Sequence, residues 1–541
     1  MFFEILDKSL AARIGKIYTK SGYLETPALF PVIKVDFNPE IINHIKKLNF
    51  KSVITNAYLL WKKLKGDIVD IHEYLNFKNI IMTDSGGYQV LKYGDVSIRP
   101  KESLEYQIKI KSDIGVILDY PTGLSRDIEF VKKSVSLTLR RANFARRYLN
   151  NSETIIVAPI QGGTNYNLLK YCARRMKEMG YEMFALGSPT GLMEKYRYVD
   201  VLKMIMTVKS IVGDAAPLHL FGAGHPMIFP FIVACGIDTF DSAAYSLYAK
   251  DGRYLTRDRT YRLEDLSYLP CNCEVCRRMD PKDFLSLDLN KRIELLEKHN
   301  LNVSLEEIKH VKLHIKEGTL WNYLEQKARA HPSLYEAFML MKGELEYFAE
   351  REPFTKVNIA GIFFFDPYSA IHPTLISYHR RLLETYFVND EETLVIFPFL
   401  EEKPFSRSHF MKRFKDDLIK ELGHAAIDRI RIAFIGYPFI FIPFELSEIY
   451  PASQWEGWIK NYPERKYLSK FLSGLLSKIK TKNFILFEDG RTKNLIKKIE
   501  DLIRAKGTAD ILKIYIKKDL NSAYLENMVS IMDFLKRRLH I

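Results

Sequence analysis

Eight short β-rich runs recur through the first half of the chain, at 26–33, 52–60, 79–86, 114–122, 154–163, 183–191, 217–224 and 237–245. Segments with helical periodicity separate them, among them 39–50, 102–111, 127–149, 165–180 and 193–212. Strands that alternate with helices are parallel, and eight such units within about 250 residues match a closed (β/α)8 TIM barrel. An open doubly wound sheet is the competing architecture, but no G-x-G-x-x-G follows the first run.

Polar residues gather at the C-terminal ends of these runs. The third ends in Thr83-Asp84-Ser85-Gly86-Gly87-Tyr88-Gln89 and the fourth in Leu118-Asp119-Tyr120-Pro121-Thr122. The fifth ends in Pro159-Ile160-Gln161-Gly162-Gly163 and the sixth in Leu186-Gly187-Ser188-Pro189-Thr190-Gly191. The seventh ends in Gly222-Ala223-Gly224-His225-Pro226 and the eighth in Phe240-Asp241-Ser242. A lone Asp-Ser-Gly is ordinary turn chemistry. Carboxylates and an amide converging on the rim where such barrels carry their active sites are not.

A second constellation follows. Cys271, Cys273 and Cys276 lie within six residues. A Cys3His set is a closed tetrahedral shell for a structural zinc ion, Zn2+, whereas an iron–sulfur cluster usually takes four cysteines. On spacing, His299 and His310 compete as the fourth ligand. Cys172 and Cys235 sit in apolar helical surroundings and read as core.

Bulk properties agree with an intracellular, cytoplasmic enzyme that meets a polyanion. The net charge is +14, which suits an acidic partner such as nucleic acid. Cysteines at metal-type spacing imply a reducing compartment. The first residues meet charge too early for a signal peptide. The longest apolar run, Ile432 to Phe444, is short and carries two prolines, so no membrane span is expected.

The chain resembles the tRNA-guanine transglycosylases, specifically their archaeal, archaeosine-forming branch. The matching stretches include Ala11-Ala12-Arg13-Ile14-Gly15-Lys16, Glu25-Thr26-Pro27-Ala28-Leu29, Ile54-Thr55-Asn56-Ala57-Tyr58 and Met82-Thr83-Asp84-Ser85-Gly86-Gly87. They continue with Leu218 through Met227, Phe240-Asp241-Ser242-Ala243-Ala244-Tyr245, Tyr248-Ala249-Lys250-Asp251 and the cysteines with His299-Asn300-Leu301. The likeness implies a glycosyltransferase of tRNA modification that swaps a D-arm guanine, at position 15, for 7-cyano-7-deazaguanine (preQ0) through a covalent aspartyl-tRNA intermediate. It implies Asp241 as nucleophile and Asp84 as general acid/base. It implies a base pocket of Ser85, Tyr88, Asp119, Gln161, Gly187 and Ser188, with Lys250 and Arg253 on tRNA phosphate. It favours His299 over His310 as the fourth metal ligand, and it implies a homodimer.

The likeness covers 1–345, read as one catalytic domain including the metal site at about 271–299. Residues 350–460 read as an α+β accessory domain, and 461–541 as a mostly helical α+β region with no evident β-rich RNA-binding (PUA) domain. A separate PUA-type protein is therefore an expected partner. The accessory region also resembles archaeosine synthase, through Pro398-Phe399, Lys403-Pro404-Phe405-Ser406-Arg407-Ser408-His409 and Ile442-Pro443-Phe444. A synthase-like enzyme acting on preQ0-tRNA is the alternative, and a non-catalytic tRNA-binding protein a third. The synthase pattern wants Cys and Tyr where this chain has Phe399 and Phe405, while Asp84, Asp119 and Asp241 are all present.

Overall fold

The computed structural model describes residues 2–87, 89, 97–357, 359–457, 459 and 465–540. Tyr88, expected in the base pocket, lies outside them. The chain divides into two compact units, Met1–Glu344 and Leu345–Ile541.

The first unit opens with an antiparallel sheet, β1 (Phe3–Ser9), β2 (Ala12–Thr19) and β3 (Gly22–Glu25), that precedes every run expected from the sequence. Eight parallel strands follow: β4 (Ala28–Pro31), β5 (Ser52–Asn56), β6 (Ile80–Asp84), β7 (Ile114–Val116), β8 (Ile155–Ile160), β9 (Met183–Leu186), β10 (Leu218–Leu220) and β11 (Thr239–Ser242). Each lies inside its expected run. Each pairs with its sequence neighbours, and β11 pairs back onto β4. Between β4 and β5 the contact shrinks to one bridge, Val32 to Ile54, beside an Ile33 N–H donating to the Ile54 carbonyl at 2.7 Å. That bond completes the ring of a TIM barrel.

Apolar side chains fill the barrel. Phe30, Ile54, Ile80, Met82, Ile114, Val116, Val157, Met183 and Ala185 form one buried cluster. Phe3, Ile17 and Leu24 of the antiparallel sheet belong to the same cluster, so that sheet packs onto the barrel core. Its anchor is polar. The fully buried Arg13 on β2 pairs with Asp238 just before β11 and donates to the Ala216 carbonyl at 3.0 Å. Arg13 meets both carboxylate oxygens of Asp238, and Oδ2 also accepts from the Leu218 N–H at 2.8 Å, which ties the sheet to the start of β10.

Several outer helices start where a side-chain oxygen serves a free N–H group. Asn38 caps Pro39–Lys47, and Asp127 caps Ile128–Ala145. The helix expected over 193–212 is broken: one short helix spans Thr190–Glu194 and a second Tyr198–Val212. After β11 the chain forms a hairpin, β12 (Arg253–Leu255) with β13 (Thr260–Arg262), then the cysteine segment. A long helix, Leu289–Glu317, begins at an Asp288 cap and ends at Gly318 in the left-handed conformation.

The second unit has one core built on one sheet. A two-strand parallel pair, β14 (Ile362–Phe363) with β18 (Trp455–Glu456), stands apart. The main sheet joins β15 (Thr393–Pro398), β16 (Ile430–Gly436), β17 (Ile440–Pro443), β19 (Asn483–Glu488) and β20 (Asp510–Tyr515) in the order β17-β16-β15-β19-β20. Only β17 runs antiparallel to its neighbour. Residues 461–541, expected as a mostly helical α+β region, hold, among the described residues, three helices and two of these parallel strands, and β19 pairs with β15 across the expected division at residue 460. β20 is partly exposed along most of its length, so its apolar alternation is weak and reads as helix in sequence. Among the described residues no helix is long and apolar enough to cross a membrane.

Candidate active site and metal centre

The C-terminal ends of the barrel strands surround one cavity of about 1270 Å3. Asp84, Asp119, Gln161, Gly187, Ser188 and Asp241 all line it. Residues more than 150 positions apart thus share one volume, as the rim reading expects.

Asp84 closes β6. The Asn56 side-chain amide, at the end of β5, donates to its Oδ2 at 2.8 Å and also to the Gln89 side-chain oxygen at 3.0 Å. Burial raises the Asp84 carboxyl to about 7, and the charges of Asp119 and Asp241 push the same way. The N–H groups of Ser85 and Gly86 oppose that rise. Near neutral pH, Asp84 therefore exchanges a proton readily, as a general acid/base must.

Asp119 follows β7 and is buried; burial lifts its carboxyl to about 6 against a hydrogen bond from Gln161. The Gln161 amide N–H donates to Asp119 Oδ2, and its oxygen accepts from the Thr122 N–H at 2.9 Å and the Ser188 hydroxyl at 3.0 Å. Gln161 thus orients Asp119, and among the described residues its amide makes that one donation, with a second hydrogen to give. Arg141 reinforces the turn by donating to the Asp119 carbonyl at 2.8 Å. Two glycines are required by space. A Cβ at Gly187 would come 2.2 Å from the Gln161 amide nitrogen, and one at Gly87 would come 2.1 Å from Asp119 Oδ1.

Asp241 ends β11. Two donors meet its Oδ1: the Gly222 N–H at 2.9 Å and His219 Nε2 at 3.3 Å. The other ring nitrogen of His219 contacts the Thr239 hydroxyl at 2.9 Å, and the imidazole is fully buried against Phe30 and Phe221. A carboxylate held through one oxygen presents the other.

The remaining expected residues divide. The buried Ser85 hydroxyl donates to the Ile117 carbonyl at 3.2 Å, away from the cavity lining. Arg253 lines the cavity, its guanidinium 5.5 Å from the Tyr248 ring centre. Lys250 does not line it but faces Lys34, which does. Burial and that second ammonium bring Lys34 down to about 8, with Glu297 opposing. Asn56, His219, Gln89, Arg141 and Lys34 carry no role in the sequence reading. Asn56 and His219 sit in quoted stretches, Asn56 at the end of β5 and His219 within β10, and that placement was the available signal.

The metal set comes together as expected. The ligand atoms of Cys271, Cys273, Cys276 and His299 all lie within 4.8 Å of one another. His299 Nε2 donates to the Leu255 carbonyl at 2.9 Å, which leaves the Nδ1 lone pair facing Cys276 Sγ at 3.3 Å and Cys273 Sγ at 3.6 Å. This backbone anchor is the usual partner of a metal-bound imidazole. Tyr254 stacks on the imidazole at 3.7 Å and places its hydroxyl 3.3 Å from Cys276 Sγ. His310, the spacing alternative, instead lies 3.7 Å from Glu306. The donors fit a closed four-ligand ion, with Cys276 and His299 buried and Cys271 and Cys273 half-buried.

Comparison with known proteins agrees with this geometry. A family model described as "Queuine tRNA-ribosyltransferase" (TGT) matches residues 7–333, and one described as a domain of unknown function, DUF5591, matches residues 375–520. The tRNA-guanine(15) transglycosylase of Sulfolobus acidocaldarius is 47% identical over 384 residues, 70% of this chain and 77% of the relative. That of Saccharolobus solfataricus is 42% identical over 492 residues, 89% of this chain and 95% of the relative. That of Pyrobaculum aerophilum is 40% identical over 476 residues, 87% of this chain and 94% of the relative.

Proposed function

The chain belongs to the queuine tRNA-ribosyltransferase (TGT) family, and from that premise we propose that it exchanges guanine 15 of tRNA for preQ0. The observation that carries the reading is the convergence of Asp84, Asp119 and Asp241 on one cavity. No binding module needs three mutually repelling carboxylates there.

Each has a distinct task. Asp119, oriented by Gln161, accepts from the N1–H and exocyclic amine of a guanine-like edge. The Gly187-Ser188 backbone borders the ring. Asp241 has no donor on Oδ2 among the described residues, so that oxygen attacks ribose C1′. The C1′–N9 bond breaks and Asp84 gives its proton to the departing guanine. The incoming base then returns a proton to Asp84 as its N9 attacks C1′ and displaces Asp241. The target base must leave the helical stack to reach these groups. Lys34, Lys250 and Arg253 supply positive charge for the flanking phosphates.

Cys271, Cys273, Cys276 and His299 hold one structural zinc ion in this reading. When bound, the ion cross-links the cysteine segment to the long helix and takes no part in the exchange. The resemblance supports a homodimer, or a separate PUA-type protein, that presents the folded tRNA, and the +14 charge suits that polyanion. In the second unit Phe399 packs against Phe405 at 5.1 Å and Trp455 at 5.5 Å, which supports an apolar core there rather than a synthase site.

The test is incubation with preQ0 and tRNA labelled in guanine, following release of the label. Wild type should release it. Asp241→Ala should abolish release and any denaturant-resistant RNA adduct while leaving tRNA binding roughly intact. An adduct that persists in that variant would move the nucleophile to Asp84.

A further inference from the structure

The cavity exceeds what one base fills. Sites that enclose a whole small ligand run to roughly 300–1,000 Å3, and this one is about 1270 Å3. Besides the carboxylates, its wall carries Tyr196, Tyr198, Tyr248 and Arg253.

Tyr196 occupies a position where tyrosine is costly. The helix Thr190–Glu194 ends at Lys195, and Tyr196 follows in the left-handed conformation with φ 54°. Its N–H donates to the Met193 carbonyl at 3.0 Å, and the Arg197 N–H to the Leu192 carbonyl at 2.9 Å. This is the paired bonding of a Schellman ending, whose left-handed residue is normally glycine, sometimes asparagine. A bulky residue there costs on the order of 1–3 kcal/mol. The ring does not recover that cost by burial, since Tyr196 is 45% exposed. It is nonetheless held: it stacks on His331 at 5.0 Å and 20°, and meets Tyr198 edge-on at 5.8 Å. His331 is fixed in turn, because its Nδ1 accepts from the Ser333 N–H at 3.1 Å.

A rigid, half-exposed ring in the wall of a pocket that takes an extruded base has an evident use. Extruding one base strips its neighbour of a stacking partner. An aromatic side chain replaces that partner without regard to sequence, at about 1–3 kcal/mol per base. We propose that Tyr196 stacks the nucleotide next to the exchanged guanine, with Arg253 on the phosphate between them. The inference rests on the transglycosylase reading and extends it to a second nucleotide subsite.

The test compares Tyr196→Asn, which suits the left-handed backbone and removes the ring, with Tyr196→Phe, which keeps the ring. Tyr196→Asn should lower kcat/KM for tRNA by about tenfold or more, mainly through KM. Its KM for the free base should hold, and its Tm should stay level or rise. Tyr196→Phe should match wild type. A tRNA carrying 2-aminopurine beside the target guanine, one version on each side, should be more quenched when bound to wild type or Tyr196→Phe than to Tyr196→Asn, for one of the two placements. Wild-type kinetics in Tyr196→Asn with unchanged emission at both placements would overturn the inference. So would a lowered Tm with equal losses toward tRNA and free base, which marks a structural residue. If wild type released no guanine, the transglycosylase reading itself would fail, whereas the emission comparison reads stacking without turnover.

Discussion

Asp84 and Asp119 show how burial assigns tasks to identical side chains. Burial is the main cause at both, but Asp84 also feels two neighbouring charges and stands higher, about 7 against about 6. In the proposed mechanism, Asp119 protonated below the lower value could not accept from a guanine edge, and Asp84 above the higher value would have lost the proton it is proposed to donate. Transglycosylation should therefore show a bell-shaped pH profile of kcat/KM with limbs near about 6 and 7, read as apparent values of a coupled pair. The same shift bears on stability. A carboxyl raised on folding keeps its proton in the native state after the unfolded chain has lost it, so stability falls as pH climbs from the unfolded value of 3.8 toward 7. Asp84→Asn should therefore be more stable than wild type above that range, by up to about 4 kcal/mol, with the gain vanishing in acid. Thermal melts of both proteins across pH check this. The motif Thr83-Asp84-Ser85-Gly86-Gly87 is visible in sequence, but neither its proton affinity nor the support from Asn56 is. Both depend on groups from other strands.

Among the elements, the cysteine segment and the N-terminal sheet each combine apolar packing with a few polar contacts. Tyr254, Leu263, Val275, Phe284 and Leu296 pack with Cys276 in a buried cluster beside the ligands, so apolar burial and the ligand set together hold the segment. Cys273→Ser should lower stability by more than about 4 kcal/mol, the range of metal-site losses, and elemental analysis should drop from one zinc per chain toward none. Active wild type without zinc would refute the metal reading. Arg13 gives the second case. Arg13→Ala leaves Asp238 charged and unpaired in the core, at a cost of roughly 3–5 kcal/mol, measurable as a fall in the denaturant midpoint. The cysteine set was legible because its ligands are close in sequence. The Arg13–Asp238 pair spans 225 positions, and local pattern holds no trace of it.

For the whole molecule, a net charge of +14 should govern tRNA binding. Releasing counterions from phosphate should weaken affinity by roughly tenfold or more between about 0.05 and 0.2 M salt, whichever base is exchanged. If a separate RNA-binding protein completes the assembly, adding it should lower the KM for tRNA far more than it changes kcat, because its contacts are remote from the reacting bond. A monomer that exchanges full-length tRNA tightly and alone would exclude both the dimer and the partner.

The alternation of strand and helix, the polar ends of the strands and the cysteine spacing were determined by sequence alone. Each is a local periodicity, and covalent neighbourhood suffices to express it. The N-terminal sheet, the break at Tyr196 and the parallel strand at Asp510–Tyr515 were decided by packing, since short or partly exposed elements carry weak patterns. Tertiary structure alone decided which of the chain's carboxylates share a cavity and so which one holds a proton near neutrality. Burial and Coulomb repulsion act through space, and Asp84, Asp119 and Asp241 become neighbours only when the barrel closes.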